Sequence, residues 1–125
     1  MERPEVKNPG NTLEERVKAE MQELFDAGLM ETDQDTPQRR KGSGSVHGDG
    51  DVTAGPFEFE CKDNPEQKSI SITQTDWKRT VEAARRAGLK IPMFINKNSN
   101  GIFATVRWAD MLNLLKDIGT QHKGA

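Results

Sequence analysis

The segment 57–62 constrains the fold of this chain more than any other part of its sequence. It reads Phe-Glu-Phe-Glu-Cys-Lys, so apolar and charged residues alternate with a period of two. Successive side chains of a β-strand point to opposite faces of the sheet, and a face that carries Phe57, Phe59 and Cys61 must be covered by another layer. We therefore predict a strand with one face toward a core and one charged face.

Amphipathic helices are predicted on both sides of this strand in the sequence. Residues 12–15 have the form of a capping box, and apolar residues then recur at helical spacing, which predicts a helix of about four turns that starts at Thr12. A second helix is predicted to start near Thr73, with Asp76 three residues later. Its buried side is expected to carry Trp77, Val81 and Ala84.

The remaining apolar segments complete the predicted architecture. Strands are predicted near residues 51–53, 91–95 and 102–106, with a turn over 96–101, and a short closing helix is predicted from Trp108. The order is helix, strands, helix, strands, helix. This order predicts an α/β sandwich with a central mixed β-sheet flanked by helices.

Length and composition bound the class of protein. A chain of 125 residues allows one domain, which we expect over 12–119, with flexible ends at 1–11 and 120–125 and a mobile basic Gly/Ser-rich loop at 36–50. The single cysteine, Cys61, excludes a disulfide framework and a cysteine-rich zinc site. The sequence has neither an apolar run long enough to cross a bilayer nor a secretory signal. We therefore expect a soluble, cytoplasmic protein without membrane partner or organic cofactor, and a phage origin is left open.

The net charge of −2 conceals blocks of opposite sign. Acids dominate residues 1–35, with ten acids and four bases, and residues 49–66, with six acids and one base. Bases dominate residues 36–48, with three bases and no acid, and residues 67–125, with ten bases and four acids. Each block alone is typical of a solvated surface, but here two basic segments frame an acidic centre. A net charge of −2 argues against a chain that binds polyanions merely by being basic, but if the central acids bind a divalent metal, binding of a polyanionic partner should depend on that metal and on salt.

The acidic centre contains the groups that metal-dependent phosphodiester hydrolysis needs. This chemistry uses oxygen ligands for a hard cation and a cationic or basic group near the attacking water. Asp51 lies on or beside one predicted strand. Glu60 and Lys62 share a face of the next strand, with the backbone carbonyl of Cys61 between them. By itself a Glu-x-Lys triplet most often indicates an exposed ion pair, and the aspartate nine residues earlier strengthens the functional interpretation.

Helical periodicity separates two adjacent acids of the first helix. At about 100° per residue, Glu14 falls at the edge of the apolar stripe, whereas Glu15 points away from it and belongs to the predicted capping box. Glu14 is therefore the acid that can lean over the sheet. A glutamate in the first turn is also favoured by the helix dipole alone, so both interpretations of Glu14 stay open.

The order of these segments resembles the PD-(D/E)xK nuclease superfamily and, within it, the small archaeal-type Holliday junction resolvases. The resemblance runs over residues 12–106 and is carried by Glu14, Ser43-Gly44-Ser45, Asp51-Val52, Phe57 to Lys62, Gln74 and Ile91 to Lys97. Gly50 stands before Asp51 where the superfamily often has proline. Asp49 would share a strand face with Asp51, and we prefer Asp51 as the ligand because Val52 follows it.

This resemblance implies a restriction-endonuclease-like sandwich with a metal site. Asp51 and Glu60 would bind Mg²⁺, or Mn²⁺ as a substitute, together with the backbone carbonyl of Cys61. Glu14 would assist a metal or a bound water. Whether one or two metals bind stays open.

The resemblance also implies roles for three further residues. Lys62 would orient the attacking water or help to deprotonate it. Ser43, in the basic loop, would approach the scissile phosphate. Gln74 would hold Lys62 or the water in place.

Branched or duplex DNA is the partner that these features predict. The candidate DNA contacts are Arg39, Arg40, Lys41, Ser43, Ser45, Lys78, Arg79, Arg85 and Arg86. The resemblance favours a structure-selective endonuclease that cuts four-way junctions as a two-fold homodimer, with interface candidates Phe103, Trp108 and Leu112. Two alternatives are a flap, fork or general repair nuclease of the same superfamily and a non-catalytic nucleic-acid-binding module.

Overall fold

The computed structural model describes residues 9–30, 36–39 and 51–124. Within these residues the chain forms three helices and one five-stranded sheet. The helices are α1 (Pro9–Asp26), α2 (Gln74–Arg86) and α3 (Trp108–Gly124). The strands are β1 (Gln38–Arg39), β2 (Val52–Ala54), β3 (Phe57–Asp63), β4 (Ile91–Asn98) and β5 (Gly101–Thr105). The predicted α/β class is confirmed.

The sheet is mixed, as the sequence predicts. Its strands follow chain order, β1 to β5, and each neighbouring pair is antiparallel except β3 and β4, which are parallel. A parallel pair needs a long crossover, and α2 provides it. The turn between β2 and β3 contains Gly55, whose positive φ of 55° suits glycine.

The two faces of the sheet carry different side chains. The core on the α1 side contains Leu13, Val17, Phe25, Val52, Ala54, Phe59 and Ile95, with Phe57 and Cys61 packed against it. The predicted apolar face of β3 is therefore confirmed. Strand alternation directs Glu58 and Glu60 to the other face, where α2 packs on β3 and β4. Both glutamates are buried, so the charged face of β3 is covered by protein as well.

Two helices are longer than the sequence predicts. The helix α1 begins at Pro9 rather than at Thr12, so the predicted capping box is wrong and residues 9–11 are helical. Proline suits a first helical turn, because its φ is already helical and its missing N–H needs no partner there. The helix α3 runs to Gly124 through part of the predicted flexible tail, since no proline interrupts it.

The predicted start of α2 is confirmed, but its predicted buried face is partly wrong. The hydroxyl of the N-cap residue Thr73 accepts a hydrogen bond from the Asp76 amide at 3.0 Å. The buried residues of α2 are Thr80, Ala83 and Ala84. Trp77 and Val81 are only half-buried. Small side chains let the helix backbone approach the sheet, which leaves the larger residues at the border of the contact.

The turn between β4 and β5 is shorter than predicted. Strand β4 continues to Asn98, and the turn consists of Ser99 and Asn100. Asn98 is buried because its side-chain amide donates to the Ser69 carbonyl at 3.1 Å and its Oδ1 accepts from the Asn100 amide at 2.7 Å. These bonds make a polar residue compatible with a strand.

The basic loop predicted over 36–50 lies mostly outside the described residues. Its described part, 36–39, contains β1, which pairs with β2 through Gln38 and Thr53 and through Arg39 and Val52. Among the described helices, none has the length and apolar character to span a membrane.

Candidate active site

A cavity of about 240 Å³ opens between the C-terminal half of β3 and the first turns of α2. It is lined by Glu14, Asp51, Glu60, Cys61, Lys62, Asp63, Asp76, Arg79 and Phe94. Four residues proposed from the sequence as catalytic thus line one cavity, although they come from three segments of the chain: Glu14, Asp51, Glu60 and Lys62. Five acids and only two bases face this space.

Backbone pairing places Asp51 over β3. The Asp51 amide donates to the Phe59 carbonyl at 2.8 Å, which extends the ladder between β2 and β3 by one residue. The Asp51 carboxylate folds back over the strand, and its Oδ2 accepts a hydrogen bond from the Cys61 amide at 2.7 Å. Asp51 is 3% exposed, so this carboxylate is held in a defined position beside Glu60.

Glu60 is the most perturbed acid of the cavity. Burial, followed by the negative charge of Asp51, raises the pKa of Glu60 to about 8, although the Arg79 guanidinium acts in the opposite direction. Its Oε2 lies 3.6 Å from Nη1 of Arg79. Its Oε1 is buried and has no hydrogen-bond partner among the described residues. A carboxylate in this state favours a proton or a cation as a neighbour.

Lys62 points from β3 toward α2. Its Nζ lies 3.4 Å from Oδ2 of Asp76, and about half of its side chain is exposed. Asp76 is fixed by its helix, because its amide is bonded to Thr73 and its carbonyl accepts the Thr80 hydroxyl at 2.7 Å. Asp76 therefore sets the direction of the Lys62 ammonium group.

Glu14 comes from the opposite side of the sheet. It is 7% exposed and lines the cavity, whereas the adjacent Glu15 is exposed. The negative charge of Glu14 contributes to the raised pKa of Glu60. The geometry thus places the first of the two neighbouring acids at the site.

Comparison of the chain with protein-family models, curated proteins and solved structures gave no match.

Several residues proposed from the sequence lie elsewhere. Gln74 is exposed at the first position of α2 and does not line the cavity, and Asp76 takes the place beside Lys62 that was expected for it. The loop residues Arg40, Lys41, Ser43 and Ser45 lie outside the described residues, as does Asp49. Arg39 belongs to β1.

Two acids of the cavity, Asp63 and Asp76, were missed as site residues by the sequence reasoning. Asp76 was interpreted as a residue of the helix start, and Arg79 was predicted only as a DNA contact. The available signal was their spacing, because residues three apart share a helix face. Asp63 lies one residue after Lys62; its Oδ2 is 3.9 Å from Nζ of Lys97, and its Oδ1 is buried without a partner in the described part of the chain.

The remaining basic residues of α2 lie on its outer surface. Arg85 and Arg86 both bond the Glu82 carboxylate, with 3.0 Å between Arg86 Nε and Glu82 Oε2. Hydrogen bonds from these two arginines lower the pKa of Glu82. Lys78 is exposed on the same helix. The predicted basic surface therefore exists on α2, but one acid neutralises part of it.

The oxygen atoms of the cavity suit a hard divalent cation. No three Asp, Glu, His or Cys side chains in the described ranges converge as a metal cluster by themselves. Mg²⁺, however, is often bound by one or two carboxylates and completes its coordination with water and substrate phosphate. Asp51, Glu60 with its buried Oε1, and the Cys61 carbonyl fit such a site.

Proposed function

We propose that this protein is a metal-dependent DNA endonuclease that hydrolyses phosphodiester bonds in the cavity beside Glu60. The observation that carries the proposal is the convergence of Asp51, Glu60 and Lys62 in one cavity, with a buried Glu60 oxygen that lacks a partner among the described residues. A mixed sheet flanked by helices is compatible with the restriction-endonuclease-like fold that the sequence resemblance implies.

The proposed division of labour follows from the positions of the side chains. Asp51, Glu60 and the Cys61 carbonyl would hold Mg²⁺ or Mn²⁺, which supplies Lewis-acid stabilisation of phosphate charge and lowers the pKa of bound water. Lys62 orients the attacking water, and Asp76 directs the ammonium group toward the cavity. Glu14, which lines the same cavity, would assist the metal or a bound water.

A four-way junction is the substrate that we propose within this activity, on the strength of the sequence resemblance. Symmetric cleavage of a junction needs two active sites, which a two-fold homodimer supplies. The helix α3 supports this part of the proposal, because its surface carries exposed apolar residues: Trp108, Leu112, Leu115 and Ile118. The third interface candidate, Phe103, is half-buried.

The experiment is a cleavage assay on labelled DNA in Mg²⁺ and in Mn²⁺. The wild-type protein should make paired, symmetric nicks in a four-way junction, and Glu60→Gln and Lys62→Ala should abolish them. Glu66→Gln is the matched control, because Glu66 is exposed and does not line the cavity. Equal cutting of flaps, forks and linear duplex would replace the junction by a broader repair substrate.

The same assay separates catalysis from simple binding. In a non-catalytic nucleic-acid-binding module, the contact between Lys62 and Asp76 would be a structural ion pair with the same geometry. Binding of the junction without cleavage in either metal would favour that module. Cleavage that survives in Glu60→Gln would remove this cavity as the active site.

A further inference from the structure

The guanidinium group of Arg79 is shared between two acids of the cavity. Its Nη1 lies 3.6 Å from Oε2 of Glu60, and its Nη2 lies 3.9 Å from Oδ1 of Asp76. Both distances exceed those of good N–H···O hydrogen bonds, so charge attraction rather than directional bonding holds the group there. The side chain is 42% exposed, so it can leave the cavity without disturbing the core.

Arg79 occupies the electrostatic position that a divalent cation would take. The negative charge of Asp51 repels an ionised Glu60, and the positive charge of Arg79 offsets part of that repulsion. A divalent ion bound directly to the carboxylates would offset it more strongly, because it carries two charges at shorter range. With the charge of Glu60 neutralised by the metal, the 3.6 Å contact between Arg79 and Glu60 would contribute little stabilisation.

Arg79 also differs from the other arginines of α2 in its partner. Arg85 and Arg86 bond Glu82 on the outer surface, away from the cavity. Arg79 instead stands at the rim of the cavity, where a DNA backbone must pass if the scissile phosphate enters. A guanidinium group binds carboxylate and phosphate with similar geometry and can exchange one for the other.

We propose that Arg79 is a built-in counterion of Glu60, that a divalent cation displaces it, and that the released guanidinium group then contacts a DNA phosphate. This inference rests on the proposed function, since it assumes that DNA is the ligand of the site. Metal binding and DNA binding are then coupled through one side chain, and the coupling is reciprocal.

The test measures DNA affinity as a function of salt concentration. Ca²⁺ serves as the divalent cation, so that binding is measured rather than cleavage. Ca²⁺ also competes with monovalent ions for DNA phosphates, so the slope of log K against log[salt] is compared between the wild type and Arg79→Gln. With Ca²⁺ present, the wild-type slope should be steeper than that of Arg79→Gln by about 0.9, the value for one extra phosphate contact on duplex DNA. Without Ca²⁺ the two slopes should be equal. Lys78→Gln is the matched control. Its slope should be shallower than that of the wild type by about 0.9 both with and without Ca²⁺, and the effect of Ca²⁺ on the slope should persist.

A DNA-free titration with Mn²⁺ separates this inference from the proposed function. Arg79→Gln should bind Mn²⁺ about fivefold more tightly than the wild type, because the competing cation is gone. Arg79→Lys should retain part of the competition, and thermal unfolding shows whether each variant is folded. Metal binding with an identical Ca²⁺ effect on the slopes of wild type and Arg79→Gln would overturn the counterion exchange alone. Failure of the wild type to bind any divalent cation would overturn the exchange and the metal-dependent function together.

Discussion

The two faces of the sheet are formed by the same strands but bury different kinds of side chain. On the α1 face, Phe59 and Ile95 join a continuous apolar core. On the α2 face, β3 directs Glu58 and Glu60 into the protein, and both are less than 10% exposed. Buried polar atoms without partners among the described residues occur on this second face at Thr53, Glu60 and Asn96.

This difference separates stability from chemistry. An apolar face stabilises the fold through the area that it removes from water. A face with buried carboxylates lowers stability unless a proton, a counterion or a metal compensates them, so native structures retain such groups mainly where they have a function. Substitutions on the α1 face, above all those that introduce a charge, should therefore destabilise the fold. Substitutions of the carboxylates on the α2 face should mainly change activity.

The largest effect should follow from a cavity in the α1 face. Phe59→Ala should lower the free energy of unfolding by about 3–5 kcal/mol, because it removes a buried aromatic side chain from the core. Urea denaturation measures this change. Trp108→Ala is a useful control, because Trp108 is 70% exposed and its loss should leave the monomer nearly as stable. Equal losses in both variants would contradict the assignment of the core to the α1 face.

On the α2 face, Glu60→Gln should separate activity from folding. We expect cleavage to fall by about 10³-fold or more, because a ligand for the metal is lost and several kcal/mol of transition-state stabilisation disappear with it. The variant should unfold at the same or a higher denaturant concentration near pH 8, since a buried ionisable group has gone. A variant that lost activity only because it had unfolded would refute the proposed contrast between the faces.

The pH dependence of stability should also originate on the α2 face. The folded-state pKa of Glu60 is about 8, against an ordinary value of 4.5, so the folded protein binds more protons between these pH values than the unfolded chain does. This contribution to stability is complete below about pH 4.5 and is lost as pH rises through about 8. The metal-free wild type should thus lose stability over this range, on the order of a few kcal/mol.

Chemical denaturation at a series of pH values, with a chelator present, tests this dependence. Glu60→Gln should remove the decline between these pH values, and saturating Mg²⁺ should reduce it in the wild type. The same decline in the wild type and in Glu60→Gln would assign it to another group.

The smallest effect should come from the residue that positions Lys62. Asp76→Asn should lower the rate of cleavage by about tenfold, similar to the loss of an outer-shell partner in other sites, with little change in DNA affinity. Asp76→Glu should restore part of the rate if the negative charge is what directs the ammonium group. Asp110→Asn is the matched control, because Asp110 also occupies a first helical turn and pairs with an arginine, 2.8 Å from Arg107 Nε. Equal losses in both variants would point to a general effect of helix-terminal charge.

Local patterns in the sequence predicted much of this architecture. The alternation in β3 identified its apolar face, and the segment from Thr73 to Asp76 identified the start of α2. The start of α1 and the end of α3 were predicted wrongly, because proline at a first turn and a helix without a breaker extend the helices beyond the signals used. Asn98 was predicted in a turn because its hydrogen bonds to distant loop residues are invisible in a local pattern.

The candidate site shows the same division. Asp51, Glu60 and Lys62 follow from spacing on neighbouring strands, so the sequence by itself determined which groups could meet. Only the tertiary structure decided that Asp76, rather than Gln74, stands beside Lys62 and that Arg79 stands beside Glu60. Strand periodicity is a property of consecutive residues, whereas burial and ion pairing depend on how α2 is laid across β3 and β4, which no local pattern contains.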